Sequence, residues 1–474
     1  MKILLAIPPR IVNIHRDVAY NASAPHLGVA YLAAVLRNQG YQVKVADAQV
    51  EGISLVEFGR RVRLCDPDLV GFTAFTEQIE EAHRAAQMIK EYNPRLPIVV
   101  GGCHPSALPQ ETLEEFPDFD FAVVGEGENT VLDLVERLNQ KKSVADLAGV
   151  AYREGSRIVT GPHRHYIEDL DSLPLPAFDL FPLDRYKIFY RVFNRERNLP
   201  LLTSRGCPYS CIFCYKSMGF KVRLRSVECV LKEIRYWVEN YFVSQFIIMD
   251  ECFAIQRDRA LKICEAIIQG GLNQRISFAC QTRVDLVDRE ILKYFKSAGC
   301  FFVCYGVESG NRNVLTSMKK GIRPDQVEEA FRLTREAGIK SQANFIFGFP
   351  DEDRDRVKES IETAMRINPD YCVFNILSPF PGTEVMEMVK KGKGGARLIS
   401  KKWSQFGKHM GSAYETDRLS RRELERLQLK AYLKFYLRFQ RLGNLFRIVR
   451  IKFFPVYLWR LIFNFLFNSN RNNN

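Results

Sequence analysis

Along residues 2–139 the pattern of apolar and polar positions switches repeatedly between two periods. Short apolar or alternating runs ("KILLAI", "YQVKVAD", "PDLVGFTAF", "LPIVVGG", "DFAVVGEGE") are separated by longer stretches. In those stretches, such as "LGVAYLAAVLRNQG", "LVEFGRRVRLC", "EQIEEAHRAAQMIKEYN" and "TVLDLVERL", apolar residues recur every three or four positions. The first kind reads as strands and the second as amphipathic helices. Five βα units in succession predict a parallel, doubly wound α/β sheet of Rossmann type over residues 1–145. Ligands of such sheets sit beyond the C-terminal strand ends. Here those ends carry "PPR", "DAQ", "TAFT", "GGCHPS" and "GEGEN".

The alternation then pauses. "GVAYREGSRIVTG" reads as a hairpin and "DLDSLPLPAFDLFP" as a proline-rich linker, together spanning 146–195. From about residue 199 it resumes. Strands are expected at "LPLLTS", "SQFIIMD", "ISFACQTR", "FFVCYGVES", "KSQANFIFGFP" and "YCVFNILSPF", with helices such as "VECVLKEIRYWVENY" and "QVEEAFRLTREAGI" between them. Six βα units predict a partial (β/α)6 barrel over 196–410, with its chemistry at the C-terminal strand ends. A helical, basic and aromatic region is expected over 411–474.

At the first of those barrel strand ends stands "LLTSRGCPYSCIFCYK", with Cys207, Cys211 and Cys214 at spacing CxxxCxxC. The chain has twelve cysteines, and nowhere else are three so close. "MKILLAIPPR" reads as a strand, too short for the apolar core of an export signal, so a cytoplasmic, reducing compartment is expected. There, clustered cysteines bind metal or do catalysis more often than they pair. Structural zinc usually takes four protein ligands in paired knuckles. A [4Fe–4S] cluster takes one thiolate per iron, so three cysteines leave one iron open. A zinc site, or three merely buried thiols, stays as the plainer alternative.

The spacing CxxxCxΦC, with Phe213 before the last cysteine, resembles the signature of the radical S-adenosylmethionine (SAM) enzymes. That resemblance implies that the open iron chelates the amino and carboxylate groups of SAM. Electron transfer, from a donor such as flavodoxin or ferredoxin, would then cleave SAM to methionine and a 5′-deoxyadenosyl radical. It also implies roles for later strand ends. Asp250 and Glu251 ("MDECF") would accept the SAM ammonium group. Arg283 ("QTRVD") would pair with its carboxylate. Glu308 and Ser309 ("YGVESG") would contact ribose and methionine, and Gly348 ("FIFGFP") would let backbone approach adenine. The plainer alternative for each charged strand end is a solvated cap or ion-pair member. Cys229, Cys264, Cys280, Cys300, Cys304 and Cys372 are expected to be small buried hydrophobes. Cys65 and Cys103 lack partners, and Cys252, beside Asp250, is the spare thiol.

A doubly wound domain ahead of such a barrel resembles the cobalamin-binding class of radical SAM enzymes, including class B methyltransferases and an anaerobic magnesium-protoporphyrin ester cyclase. Thr73, the pair Gly101 and Gly102, and Gly125 with Gly127 match the family's places for the cobalamin nucleotide tail. "DAQVEG", Asp47 to Gly52, approaches the family's DxHxxG with Gln49 for His, but follows the wrong strand. The implied mode is therefore cobalamin without an axial protein histidine. His15, His26, His83 and His104 are expected to be ordinary surface or turn residues. No GxGxxG opens a helix after the first strand, so NAD and FAD are not expected. A domain that binds nothing is the alternative.

The formal net charge is +13, yet ten Lys/Arg and no Asp/Glu lie from Arg426 onward, which leaves the rest close to neutral. The charge thus belongs to a tail rather than to a nucleic-acid-binding body. Lys430, Lys434, Arg438 and Arg441 share one helical face, with Leu429, Leu433, Tyr436 and Phe439 beside it. Two readings stay open: a helix on the inner, anionic membrane surface, or one packed on the barrel. The expected function is a cobalamin-dependent radical SAM enzyme acting on a small-molecule or lipid substrate, most simply a C-methyltransferase. An oxidative cyclase or rearrangement enzyme, and a non-catalytic iron–sulfur or cobalamin sensor, are the rivals. No residue set names a catalytic side chain or the substrate.

Overall fold

The computed structural model describes residues 1–9, 24–186, 197–407 and 412–438. Two open sheets carry the architecture. In the first, β1 (Lys2–Ile7) lies between the edge strand β2 (Gln42–Asp47) and β3 (Leu69–Thr73), and the sheet continues through β4 (Ile98–Gly101) and β5 (Phe121–Val123), all parallel. Between them run α1 (Leu27–Asn38), α2 (Leu55–Cys65), α3 (Ile79–Tyr92) and, after β5, α4 (Gly127–Asn139). β1 is almost wholly buried along "KILLAI", as a strand covered on both faces must be. The hairpin of β6 (Val150–Glu154) and β7 (Arg157–Thr160) pairs antiparallel onto β5, so it extends this sheet instead of belonging to the linker.

The second sheet runs β8 (Arg197–Leu201), β9 (Val243–Ile248), β10 (Ser277–Thr282), β11 (Cys300–Glu308), β12 (Lys340–Phe347) and β13 (Tyr371–Ile376) in chain order, all parallel. Its outer face is covered by α5 (Val227–Tyr241), α6 (Arg257–Gln269), α7 (Arg289–Ser297), α8 (Pro324–Glu336) and α9 (Arg354–Ile367). β8 and β13 do not pair, so the barrel is partial, as expected.

The proline-rich segment is less of a tether than its composition suggests. Ala177 and Phe178 are fully buried. The Ala177 amide donates to Ala30 O in α1, and the Phe178 ring lies 5.3 Å from Trp237 of α5. One apolar core therefore runs from α1 through the linker into the barrel.

The tail reading resolves for its first turns. α10 (Arg421–Tyr436) starts at a capping box in which Ser420 and Glu423 satisfy each other's backbone amides. It lies along the free edge of β13. Gln428 donates to Phe374 O, Tyr432 Oη accepts from Phe374 N, and Tyr436 Oη both accepts from Cys372 N and donates to Cys372 O. Side chains thus take the place of a seventh strand and satisfy an edge otherwise open to pairing. Leu424, Ala431 and Phe435 are fully buried beneath it. This stretch packs on the barrel, while Arg441 and Phe439 lie outside the described residues. No helix among the described residues is long and apolar enough to cross a membrane.

Candidate active site between the two sheets

The three cysteines leave β8 on a loop pinned from several sides. The Cys207 amide donates to Gly219 O and the Cys214 amide to Cys211 O. The Ile212 amide donates to Met318 O, and Ile212 O accepts from Val385. The guanidinium of Arg283, at the end of β10, stacks on the Tyr209 ring at 3.6 Å. A short antiparallel pairing of Ser204–Arg205 with Arg223–Leu224 closes the loop's base. There Gly206 has φ +92°, and a Cβ would meet the Lys221 carbonyl, so only glycine fits. Cys207 and Cys211 are half-buried and Cys214 is exposed.

This loop faces the C-terminal edge of the first sheet. The Cys103 thiol, after β4, lies beside the Ser217 side chain of the cysteine loop. Tyr215 and Ala107 both border Gly382, where a Cβ would come within 2.6 Å of the Tyr215 ring and 3.2 Å of Ala107 Cβ. Behind this contact lies a buried charge network. Glu126 accepts from Arg205 (2.9 Å), from Arg223 (2.8 Å) and from the Ile167 amide (2.6 Å), while Glu128 accepts from Arg205 (2.5 Å). Arg205 also lies over the Tyr31 ring at 5.3 Å, and Arg223 over Tyr166 at 4.9 Å. Two carboxylates of the first domain thus hold two guanidinium groups of the cysteine loop's base.

A profile described as the B12 binding domain matches residues 18–135, and one described as the radical SAM superfamily matches 201–364. An uncharacterized methyltransferase of Pyrococcus horikoshii is 33% identical over 440 residues, covering 92% of this chain and 93% of that one. The chain belongs to the cobalamin-binding radical SAM enzymes. The anaerobic magnesium-protoporphyrin IX monomethyl ester cyclase of Rubrivivax gelatinosus is 32% identical over 371 residues, covering 77% of this chain and 66% of that one. The methyltransferase TsrM from Kitasatospora setae, solved with cobalamin and a [4Fe–4S] cluster, shares the fold at TM-score 0.69 and 18% identity, covering 92% of this chain and 88% of that one. The protein is thus a cobalamin-dependent radical SAM enzyme, with cobalamin and SAM as cofactors.

The residues present suit those groups. Three cysteines on one loop would leave one iron of a four-iron cluster open, since such a cluster takes one thiolate per iron. Arg283 is bound through Nε and Nη2 to Asp285 (2.9 Å each), and its buried Nη1 has no partner. That orphaned donor suits a carboxylate ligand. Glu251 is exposed at the rim.

Asp250 is placed differently from the expectation. It is fully buried, its Oδ1 accepting from the Thr203 amide (2.6 Å) and its Oδ2 from Thr203 Oγ1 (2.5 Å) and Ser204 Oγ (2.6 Å). Both oxygens are engaged in anchoring the start of the cysteine loop, so it is not free to receive a ligand ammonium. Ser309 is likewise buried, against Ser360 Oγ at 3.1 Å. Gly348 has φ +88°, and a Cβ would press on Leu424 of α10 at 2.9 Å, so the tail helix already requires glycine there. Glu308, with φ +67°, pairs at 2.8 Å with Lys320, and both are buried. Lys320 Nζ lies 6.0 Å from the Phe213 ring centroid. Lys320 is a residue that sequence reasoning missed, because "SMKKG" offers no motif.

In the first domain Thr73 and Gly101 are register partners at adjoining strand ends. A Cβ at Gly101 would meet nothing closer than Val123 Cβ at 3.8 Å. Gly102, at φ +109°, is held against Ala74 O, where a Cβ would lie at 2.6 Å, and is obligatory for the turn itself. Gly125, at φ +77°, is open, its amide donating to Ser106 Oγ, and Gly127 starts α4 against Leu32. "DAQVEG" is a single helical turn: Asp47 caps it through Val50 N and binds Tyr186 Oη at 2.7 Å, and Gly52 ends it. Its role is structural. His15 lies outside the described residues. His26 caps α1, and His83 pairs with Asp118 at 2.8 Å. His104 departs from the expected surface role, being 1% exposed against Trp403 with Nδ1 unpartnered. Burial lowers it to about 4. Cys252 is buried 3.3 Å from Thr282 Oγ1. Cys304 is not the buried hydrophobe expected: it is half-exposed on the barrel's inner face.

Proposed function

We propose that the protein is a C-methyltransferase that acts on an unactivated carbon of a small molecule, with Cys207, Cys211 and Cys214 holding a [4Fe–4S] cluster. The observation that carries this reading is the opposition of the three-cysteine loop to the C-terminal edge of the first sheet, where Ser217 lies beside Cys103 and both Tyr215 and Ala107 border Gly382. When bound, the cluster with SAM supplies a carbon-centred radical and cobalamin supplies a methyl carrier.

In this reading the chain's own residues position and enclose. Arg283 Nη1 meets the SAM carboxylate, Glu251 meets its ammonium group, and the Glu308–Lys320 pair closes one wall. Thr73, Gly101, Gly102, Gly125 and Gly127 border the cobalamin tail. Glu126 and Glu128, through Arg205 and Arg223, fix the distance between the two cofactor sites. A flavodoxin- or ferredoxin-type donor supplies the electrons.

The test uses anaerobically reconstituted enzyme and methyl-labelled SAM. Label in a small-molecule product supports the reading. Deoxyadenosine without methyl transfer favours cyclisation or rearrangement, and neither product leaves a sensor. About four irons per chain are expected, and none in the Cys207→Ala/Cys211→Ala/Cys214→Ala variant. Full iron retention in that variant would remove the cluster assignment.

A further inference from the structure

The inner face of the barrel sheet differs from a filled barrel core. Along β12, Ser341, Ala343, Phe345 and Phe347 are buried against the outer helices, while Gln342, Asn344 and Ile346 remain half-exposed inside. The strand register places Gln281 beside Cys304 and Cys304 beside Gln342, so these three form one layer of the lumen. Cys304 Sγ accepts from Asn344 Nδ2 (3.1 Å) and Gln342 Nε2 (3.5 Å), which confirms a shared face. Gln281 is exposed there although it lies mid-sheet. Phe302, in register with Lys340, lies beneath this layer, and Tyr371, in register with Gln342, adjoins it; with ring centroids 5.9 Å apart the two rings form a floor. Above it, Asn375 adjoins Ile346 in register and is half-exposed, and Met249 is 48% exposed at the rim. A closed barrel would fill these positions with branched apolar side chains.

The chemistry of this cavity is uniform. Its polar walls are carboxamides and a thiol, each able to donate or accept but none charged. Lys340, at the N-terminal end, is paired with Asp370 (2.8 Å), and Glu308 with Lys320 at the rim. Between those two pairs the inner-face positions of β10, β11, β12 and β13 are uncharged. A carboxylate or phosphate entering here would find no countercharge, and a hydrocarbon chain would strip the amides of partners without replacing them.

We propose that the lumen is the substrate pocket and that it selects an uncharged, hydrogen-bonding molecule, one rich in hydroxyl or carboxamide groups, over a lipid or an ionised acid. This inference rests on the reading of the protein as a radical SAM enzyme that acts on a small molecule. The floor of aromatic rings offers a face for ring or methylene C–H groups, and the amide walls fix the orientation of the polar edges.

The test fractionates the small-molecule extract of the source cells into four pools: water-soluble neutral, anion-exchanger-bound, cation-exchanger-bound and chloroform-soluble. Each is given to holoenzyme with methyl-labelled SAM and reductant, and deoxyadenosine formation and label are both measured. Stimulation by the neutral aqueous pool alone is the expected result. Stimulation by the chloroform or an ion-bound pool would overturn the inference while leaving the radical reading intact. If no pool stimulates, the enzyme reading fails, and the lumen is then judged directly by crystals of the holoprotein soaked in propionamide, propionate or cyclohexane. Propionamide against Gln342 and Asn344 sustains the inference. Propionate or cyclohexane in its place, or water alone, refutes it. With the neutral acceptor in hand, Asn344→Leu should raise KM roughly tenfold, and an unchanged KM would count against the pocket.

Discussion

Removing the Glu126 carboxylate tests how the two domains are held together. The group is 7% exposed and serves two guanidinium groups and one amide. Glu126→Ala would leave Arg205 and Arg223 buried, with Glu128 alone to balance them. Deleting one partner of a buried pair costs about 3–5 kcal/mol, and the double load on Glu126 puts the expected loss near the upper end. That is a large part of the 5–15 kcal/mol that typically separates folded from unfolded chains. Glu126→Gln keeps the shape and one acceptor oxygen, so a loss of about 2 kcal/mol is expected. Trp237 reports on the transition, since it is buried against Phe178 at the domain junction. Urea unfolding followed by its fluorescence should rank wild type above Glu126→Gln above Glu126→Ala. Because the desolvation of an orphaned charge dominates, the double variant Glu126→Leu/Arg223→Met should lose less than the sum of its single variants. A loss under about 1 kcal/mol for Glu126→Ala, or strict additivity in the cycle, would refute the network as the interdomain fastening.

Three further outcomes follow. Glu352 is fully buried, and burial lifts its pKa to about 8 against the opposing amides of Gly348 and Phe349. Its folded value exceeds the unfolded one, so its contribution is complete below about pH 4.5 and fades as pH rises to 8. Thermal melts of wild type should therefore fall between pH 6.5 and 8, and Glu352→Gln should flatten that fall. His104, lowered to about 4 by burial, acts in the opposite sense. Its contribution is complete above about pH 6.5 and lost toward pH 4, so His104→Gln should reduce acid sensitivity in the same melts. Truncation after Glu425 removes most of α10 and bares the β13 edge, so aggregation is expected, whereas truncation after Arg438 should leave a soluble chain that still binds cofactors. The membrane reading now rests on residues 439–474, and co-sedimentation with anionic liposomes that survives the second truncation would exclude it.

The sequence by itself carried the two-domain α/β order, the partial barrel and the three-cysteine loop, because each rests on local signals. Strand and helix periods are set within a few residues, and CxxxCxxC is contiguous. Strand-end positions such as Arg283 and Glu251 were legible for the same reason. What tertiary structure decided are the relations between distant segments. Asp250 and Arg283 look alike as charged strand ends, yet one is consumed by Thr203 and Ser204 while the other keeps a free donor. Gly348 needs glycine on account of Leu424, some seventy-six positions later. Glu126 and Glu128 read only as acidic positions beside glycines until Arg205 and Arg223 fold against them. Gln342, Asn344 and Cys304 have ordinary strand chemistry, and only the failure of β8 to meet β13 turns their face into an open, neutral lumen. Local pattern fixes which way a side chain points from its own backbone; what lies opposite depends on how the sheets close, and that is settled by packing over the whole chain.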